Sequence, residues 1–210
     1  MKGQFITLEG IEGAGKSTAV AVAGRVLQKA GLSLLTTREP GGTDLGEDVR
    51  RLLLGHKHHG MSDDTELLLM FAARAEHLQQ KIIPALCQGQ WVLCDRFTDA
   101  TYAYQGGGRG VPDQRIAQLE QWVQADLRPD LTLLLDLPVE TGLQRAARRS
   151  APDRIESQHN SFFQRVRNAY LQRAHKEPGR IKLIDAAASE SRVAEQLTQV
   201  LSDFLRQVQA

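Results

Sequence analysis

The chain has 210 residues, with 26 lysines and arginines against 25 aspartates and glutamates, a formal net charge of +1. This balance gives no support for general nucleic-acid binding, and the longest apolar run, Leu67–Ala73, is too short to span a membrane. Two cysteines make neither a disulfide framework nor a zinc quartet. We therefore expect a cytoplasmic α/β protein of one domain, residues 1–210.

Short apolar runs alternate with longer segments of helical spacing along the chain. Runs typical of buried strands occur at Phe5–Leu8, Leu32–Leu35, Trp91–Cys94, Leu131–Leu135 and Ile181–Ile184. Helices are predicted at Ser17–Ala30, Asp44–Leu54, Thr65–Leu86, Asp113–Ala125, Val139–Arg149, Asn160–His175 and Ser191–Val208. Asp44, with Glu47 three residues later, is expected to cap the second helix. Because strands and helices alternate, we expect a mostly parallel sheet with helices on both faces and ligands bound where the strands end.

A glycine-rich segment, GIEGAGKS at Gly10–Ser17, lies between the first predicted strand and the first predicted helix. It matches the phosphate-binding pattern G-x-x-x-x-G-K-[ST] in the context that this pattern requires. Glycines let backbone N–H groups turn toward phosphate oxygens, and the helix N-terminus adds partial positive charge. Lys16 is expected to reach the β- and γ-phosphates, and the Ser17 hydroxyl to ligate Mg²⁺. The segment predicts a nucleoside triphosphate site but leaves the reaction open.

Arginines follow two of the predicted strands. Arg38 begins the segment REPGG at Arg38–Gly42, after the second strand, and Arg96 comes after the third. Guanidinium groups suit the geometry of phosphate, so the pair could bind a phosphate other than the one held by the glycine-rich segment. The alternative is that both arginines simply lie at the surface in contact with water.

Two predicted strands are followed by aspartates that could hold magnesium. Trp91–Cys94 is followed by Asp95, and Leu131–Leu135 is followed by Asp136. Arg96 comes directly after Asp95 and would put an anion-binding group beside the metal, which favours Asp95. The alternative for Asp136 is a carboxylate that helps to form a turn.

Two groups of side chains could recognise a nucleobase. Phe71 and Arg74 share one face of a predicted helix, although an aromatic residue at this spacing is more often part of the core. Thr101, Tyr104 and Gln105 share another face, and Gln105 carries both a donor and an acceptor. The glycine-rich segment Gly106–Gly110 after them is expected to form a mobile or closely packed loop.

Four arginines are concentrated late in the chain. Arg145, Arg148 and Arg149 have helical spacing, and Arg154 follows after a segment that contains Pro152. Such a segment could close over ATP as a lid and bring positive charge to the phosphoryl group in transfer. A basic helix face in solvent is the alternative.

With these motifs the sequence resembles the bacterial thymidylate kinase family over nearly its whole length. The most specific segments are Gly10–Thr18, Thr37–Gly42, Glu66–Arg74, Asp95–Gly110 and Asp153–Glu156. The resemblance implies the P-loop NMP-kinase α/β fold, with a five-stranded parallel sheet, a small lid at about 145–157 and a homodimer. It also implies in-line phosphorylation of dTMP to dTDP by ATP with Mg²⁺, a step of dTTP biosynthesis.

The resemblance implies roles for individual residues as well. The residues implied for ATP are Gly10, Ile11, Glu12, Gly13, Ala14, Gly15, Lys16, Ser17, Thr18 and Arg145. Those implied for dTMP are Glu12, Arg38, Pro40, Phe71, Arg74, Arg96, Thr101, Tyr104 and Gln105. Lys16, Asp95, Arg96, Arg149 and Arg154 are expected to be catalytic, and Ser17 and Asp95 are expected to hold Mg²⁺, directly or through water.

Three points stay open in the sequence. The segment 11–14 contains no basic residue, and in this the sequence resembles the subgroup of the family whose lid supplies the catalytic arginine, which could be Arg148, Arg149 or Arg154. A kinase for another nucleoside monophosphate is one alternative function. A nucleotide-controlled switch is the other, although the Asn-Lys pair typical of guanine-specific switches does not occur.

Overall fold

A computed structural model describes residues 3–58, 60–148 and 152–209, and its centre is a parallel sheet. The strands are β1 Phe5–Glu9, β2 Leu34–Arg38, β3 Trp91–Asp95, β4 Leu131–Asp136 and β5 Ile181–Asp185. They lie in the order β2–β3–β1–β4–β5, and every neighbouring pair is parallel. The expected five-stranded parallel sheet is confirmed.

Helices follow each strand. They are α1 Lys16–Lys29, α2 Asp44–Leu54, α3 Asp63–His77, α4 Ile83–Cys87, α5 Thr98–Thr101, α6 Asp113–Gln124, α7 Val139–Ala147, α8 Asn160–Lys176 and α9 Glu190–Gln209, with a short 3₁₀ turn at His56–His58. Among the described residues, no helix is long and apolar enough to cross a membrane.

The core lies on both faces of the sheet. Phe5 and Ile6 are neighbours on β1, so their side chains point to opposite faces, and both are fully buried. Phe5 packs in a cluster with Leu78 and Ile82, whereas Ile6 packs in a cluster with Ala23 of α1. Burial on both faces explains why the strands are continuous apolar runs instead of alternating ones.

The structure differs from the long helix predicted at Thr65–Leu86 both at its start and in its middle. It begins two residues earlier, at Asp63, because the side chain of Ser62 accepts a hydrogen bond from the backbone N–H of Thr65 and so caps it. Between α3 and α4 the chain forms π-helical turns at Leu78–Ile82. Pro84 follows them and cannot donate a backbone hydrogen bond, so the regular helical ladder is interrupted near this point.

The prediction that Asp44 caps α2 is wrong. Thr43 is the cap, and its side chain accepts a hydrogen bond from the backbone N–H of Gly46. The carboxylate of Glu47 turns back toward the preceding loop, where it accepts from the backbone N–H of Gly42 and from Arg38. A threonine caps a helix by the same chemistry as an aspartate, and the sequence alone did not separate the two.

The glycines that follow Gln105 lie mostly in a helix, so the prediction of a loop is wrong for them. The chain continues from α5 as π-helical turns at Tyr102–Gly108. This segment packs tightly on α8, because a Cβ atom on Gly107 would lie 2.6 Å from the Cβ of Ala169 and 2.9 Å from the carbonyl oxygen of Arg165. The expected close packing is therefore correct, and it requires residues without side chains.

We expect Gly107→Ala to lower the free energy of unfolding by about 1–3 kcal/mol, because the added methyl group overpacks a backbone contact. Gly24→Ala is the matched control. Gly24 lies inside α1, where a Cβ atom would meet only the Cδ2 of Leu34, at 3.8 Å. The control should be neutral or stabilising, since alanine is the better helix former. Urea unfolding of both variants measures the difference, and a Gly107→Ala protein as stable as the control would contradict the prediction.

Candidate active site

The carboxyl ends of the strands surround one cleft of about 860 Å³. The segment between β1 and α1 lines the cleft, and so do residues from the ends of β3 and α3. Predicted site residues that line the cleft are Glu12, Gly13, Ala14, Gly15, Lys16, Ser17, Thr18, Pro40, Arg74, Asp95, Arg96, Thr101, Tyr104, Gln105 and Arg145. The fold therefore brings together most of the residues that the sequence singled out.

The glycine-rich segment wraps closely around the start of α1. Gly13 has a φ of +70°, and a Cβ atom there would lie 1.9 Å from the carbonyl oxygen of Gly142 on α7, so only glycine fits. The ammonium group of Lys16 donates to the carbonyl oxygens of Gly10 (3.0 Å) and Ile11 (2.9 Å). Burial lowers the pKa of Lys16 to about 8. The ammonium group of Lys16 and the backbone N–H groups of the glycine-rich segment both attract anions, so this wall is suited to a polyphosphate.

The two candidate aspartates have different surroundings. Asp136 forms a two-pronged ion pair with Arg167, at 2.7 and 2.8 Å, so both of its oxygens are engaged. Asp95 lines the cleft, and its buried Oδ1 has no hydrogen-bond partner among the described residues. A buried carboxylate oxygen without a partner is costly unless a ligand satisfies it. A carboxylate and the Ser17 hydroxyl in one cleft fit the oxygen ligands that Mg²⁺ prefers.

Arg96 is held rigidly at the base of the cleft. Its guanidinium group donates to Glu12 Oε1 (2.9 Å) and to the hydroxyl of Tyr170 (3.3 Å), and it lies 4.7 Å from the ring centre of Tyr104. The Tyr104 hydroxyl also donates to Glu12, at 2.7 Å. Arg96 has a φ of +70°, which is rare for a residue with a side chain. Strain of this kind is concentrated at functional sites, where the surroundings hold the residue in place.

Glu9 lies directly beneath Arg96 and is completely buried. Its carboxylate accepts hydrogen bonds from the backbone N–H of Phe97 and from the Tyr170 hydroxyl, both at 2.7 Å. Burial, together with the nearby charge of Asp99, raises the pKa of Glu9 to about 8. Glu9 therefore carries a proton near neutral pH, and it supports Arg96 through Tyr170 without adding a full negative charge.

Arg74 presents a free donor to the cleft from a buried position. It donates to Glu39 Oε2 (2.8 Å) and to the hydroxyl of Thr101 (2.9 Å), and its guanidinium group lies between the rings of Phe71 (4.8 Å) and Phe97 (4.9 Å). Its Nη1 is buried and has no partner among the described residues. An unpartnered guanidinium nitrogen at a cleft wall is suited to a carbonyl oxygen of a ligand.

The far end of the cleft is less polar. Arg145 donates to the carbonyl oxygen of Ala186 at 2.8 Å, which holds its guanidinium group across this end. Ala188, Val193 and Leu197 line this part of the cleft, together with the polar Ser189 and Glu190. A planar cation beside apolar side chains is suited to the flat face of a base, and the ATP contact implied for Arg145 by the resemblance stays a prediction.

Several predicted site residues do not line the cleft. Arg38 is half-exposed and ion-pairs with Glu47 at 2.9 Å, and Phe71 is buried under Arg74. Arg154 is also buried, because its guanidinium group donates to Glu66 Oε2 and to the carbonyl oxygen of Leu53, both at 2.6 Å. Their predicted contacts with substrates stay predictions. Arg149 lies outside the described residues.

The sequence analysis missed Glu9, Glu39, Arg50 and Tyr170. Glu39 and Arg50 line the cleft, and Arg50 donates to the carbonyl oxygen of Pro40 at 2.9 Å. Glu39 lies in a segment that the sequence did single out, but its partner Arg74 is 35 positions away. Tyr170 lies 74 positions from Arg96 and belongs to no recognisable motif. Only Glu9, at the end of a strand, had a position that could have identified it.

Comparison with known proteins identifies a family. Residues 8–197 match the family model described as thymidylate kinase. A thymidylate kinase of Pseudomonas syringae pv. tomato is 59% identical over 205 residues, which cover 98% of this chain and 98% of that protein. One from Pseudomonas putida F1 is 60% identical with the same coverage. The crystal structure of thymidylate kinase from Ehrlichia chaffeensis superposes with a TM-score of 0.76 at 35% identity, covering 96% of this chain and 99% of that chain.

The raised pKa of Glu9 predicts a specific pH dependence of stability. Between the ordinary carboxyl pKa of 4.5 and the folded value of about 8, the native state holds a proton that the unfolded state has lost. Because the native state has to keep or lose this extra proton, the free energy of unfolding contributed by Glu9 falls as the pH rises from 4.5 to about 8. In Glu9→Gln the amide imitates the protonated carboxyl group and does not titrate.

The stability of Glu9→Gln relative to the wild type should therefore increase from pH 5 to pH 8, by at most about 1.4 kcal/mol for each pH unit. Urea unfolding at several pH values measures it. Glu120→Gln replaces another buried carboxylate and is the control. A difference between Glu9→Gln and wild type that does not change with pH would contradict the assignment.

Proposed function

Because this chain belongs to the thymidylate kinase family, we propose that it transfers the γ-phosphoryl group of ATP directly to the phosphate of dTMP. The product is dTDP, an intermediate on the way to dTTP. One observation carries the proposal. A single cleft joins a polyphosphate-binding wall at Lys16 to a separate pair of guanidinium groups, the buried one of Arg74 and the partly exposed one of Arg96. A switch protein needs only the first of these sites, whereas a kinase needs both.

The acceptor half of the site is the end of the cleft that contains Arg96 and Arg74. Arg96 is proposed to hold the dTMP phosphate, with Arg38 and Pro40 near it. The rigidity of Arg96 supports this role, because a donor already held by Glu12 and Tyr170 loses little freedom on binding an anion.

The remaining acceptor contacts are proposed around the nucleoside. Glu12 is proposed to face the 3′-hydroxyl of the sugar, and Tyr104 to pack near C2′, where it disfavours a ribose hydroxyl. The free Nη1 of Arg74 supports a hydrogen bond to the base, next to Thr101 and Gln105. Phe71 is proposed to stack on thymine beside Arg74, whose guanidinium group already lies 4.8 Å from its ring centre.

The donor half of the site is the glycine-rich segment and the far end of the cleft. The segment 10–18 is proposed to hold the phosphates of ATP, and Arg145 to lie against adenine. Ser17 and Asp95 are proposed to hold Mg²⁺, and the orphan Oδ1 of Asp95 supports that choice over Asp136. When bound, the ion offsets the negative charge of the phosphates.

The chemistry requires alignment and neutralisation more than proton transfer. The acceptor phosphate is ionised near pH 7, so no general base is needed. Lys16 and Arg96 hold the two anions against their mutual repulsion, in line for transfer without a covalent enzyme intermediate. A lid at about 145–157 is proposed to add an arginine. Arg149 is the stronger candidate, since Arg154 is already engaged by Glu66.

We also propose a cytoplasmic homodimer of one-domain subunits, with ATP and dTMP as its only small-molecule partners. Helices α2, α3 and α6 pack side by side and expose large apolar side chains, namely Leu45, Leu52, Leu68 and Trp122. Exposed apolar residues on neighbouring helices are typical of a surface that another chain covers.

The proposed activity is tested by ADP release with MgATP and a panel of dTMP, dUMP, dCMP, UMP, AMP and GMP. We expect strong preference for dTMP over dCMP, UMP, AMP and GMP, because the base-reading groups select against the other base edges and Tyr104 selects against a ribose. Activity with a different monophosphate would support the kinase activity but contradict the proposed thymine pocket. No activity with any acceptor, while ATP still binds, would favour a nucleotide switch instead.

A matched pair of variants tests the proposed metal ligand. Asp95→Asn should lower kcat by about 10²–10³-fold, because the amide is a poorer ligand for a cation that stabilises the transferred group. Asp136→Asn should retain kcat, since Asp136 lies outside the cleft lining and is paired with Arg167. The measurement is kcat as a function of Mg²⁺ concentration. Loss of activity in Asp136→Asn with an active Asp95→Asn protein would reverse the assignment.

A further inference from the structure

One buried carboxylate behind the cleft is not explained by the proposed reaction. Glu66 of α3 is 1% exposed and does not belong to the cleft lining. Its Oε1 accepts from Gln105 Nε2 at 2.8 Å and from Arg109 Nε at 3.3 Å. Its Oε2 accepts from Arg109 Nη2 at 3.1 Å and from Arg154 Nη2 at 2.6 Å.

The two arginines keep Glu66 ionised. Burial by itself would favour the neutral acid, but the hydrogen bonds from Gln105 and the contacts with Arg109 hold the pKa of Glu66 below its ordinary value. Arg109 is fixed in turn by the ring of Phe162, whose centre lies 5.0 Å from its guanidinium carbon, and Arg154 is fixed by the Leu53 carbonyl oxygen. Glu66 is therefore a fixed acceptor with no proton to donate.

A fixed acceptor determines which way the Gln105 amide faces. Because an ionised carboxylate cannot donate, the group of Gln105 that meets Glu66 has to be its NH₂. The ion pairs with Arg109 and Arg154 keep Glu66 negatively charged whichever way the amide faces, so they are sufficient to fix its orientation. Gln105 also lines the cleft, so its carbonyl oxygen is the group that remains for a ligand.

Gln105 and Arg74 line the same end of the cleft. Arg74 brings an N–H donor, its free Nη1, and Gln105 brings an acceptor. A base edge that matches this pair has a carbonyl oxygen, to accept from Arg74, next to a ring N–H, to donate to Gln105. Thymine and uracil have such an edge in their C4 carbonyl and N3–H. Cytosine has the reverse pattern, with an unprotonated N3 and an amino group at C4.

We propose that Glu66 is a positioning residue that sets the base preference of the acceptor site, by fixing the Gln105 amide so that 4-oxopyrimidines are accepted and 4-aminopyrimidines are rejected. This inference rests on the proposed function, because it concerns the same acceptor pocket. Glu66 does not touch the substrate. It acts through Gln105, and Arg109 and Arg154 hold it in place.

Glu66→Gln tests the role with minimal change of shape. Its amide oxygen should stay at the Oε2 position, where two guanidinium groups donate, and its NH₂ should occupy the Oε1 position. That NH₂ faces Gln105, whose amide should then turn over and present a donor to the base. A donor at this point matches N3 of cytosine and opposes the N3–H of thymine.

The measurement is kcat/KM for dTMP, dUMP and dCMP with MgATP. In Glu66→Gln the ratio of dTMP to dCMP should fall by roughly ten- to a hundredfold, the range expected when one buried polar contact is lost or reversed. The ratio of dTMP to dUMP should not change, since the two bases share this edge and differ only at C5. A purely structural defect would lower all three values together.

Glu120→Gln is the matched control. Glu120 is also a buried carboxylate, bound by the Tyr102 hydroxyl at 2.6 Å and by Arg128 at 3.0 Å, and it lies outside the cleft lining. Both ratios should stay at their wild-type values in this variant. An unchanged dTMP to dCMP ratio in Glu66→Gln, or an equal fall of both ratios, would overturn the role of Glu66. A wild type that phosphorylates none of the three would instead overturn the proposed function.

A second measurement needs no substitution at Glu66, in case that variant does not fold. In the wild type, the NH₂ protons of Gln105 should give NMR signals shifted downfield and protected from exchange, identified by their loss in Gln105→Met. They should stay protected when dTMP is added, because Glu66 and not the base is their partner. Rapid exchange before dTMP is added would overturn the inference.

Discussion

Two arginines that line the cleft are each held by a carboxylate that comes from another part of the chain. Glu12 holds Arg96, and Glu39 holds Arg74. Removing a guanidinium group from water is costly, and an ion pair often does no more than offset that cost. The pairs are therefore better understood as a way of orienting cations than as a source of stability. They leave positive groups aimed into the cleft before any anion arrives.

This arrangement suits a reaction between two phosphates. Donors that are already oriented stabilise developing charge without reorganising during the reaction. Tyr170 and the protonated Glu9 extend the support of Arg96 one layer deeper, to the end of β1. The proposed acceptor half of the site is thus built at the ends of the central strands, where tertiary contacts hold Arg96 and its supports in place.

The segment that the sequence identified as a lid is partly tied to the core. The backbone N–H of Arg154 donates to the carbonyl oxygen of Leu54, at 3.0 Å, and its side chain reaches Glu66. Glu66 is also the partner of Gln105, so the segment predicted to be a lid and the proposed base pocket share one buried carboxylate. Asp153 and Glu156 of the same segment line the cleft. Any movement of this part of the chain is therefore coupled to the position of Glu66.

The sequence alone predicted the features of this protein that depend on residues close together in the chain. The parallel sheet followed from apolar runs, and the tight glycine-rich turn at Gly10–Ser17 followed from the match to a phosphate-binding pattern before a helix. Contacts between distant residues could be decided only by the tertiary structure. The sequence contains Glu39, Glu66 and Tyr170 with no signal of their partners, because burial and pairing across 35 to 88 positions depend on how the elements pack. For the same reason the sequence assigned Arg154 to the lid chemistry, whereas packing engages it with a buried carboxylate.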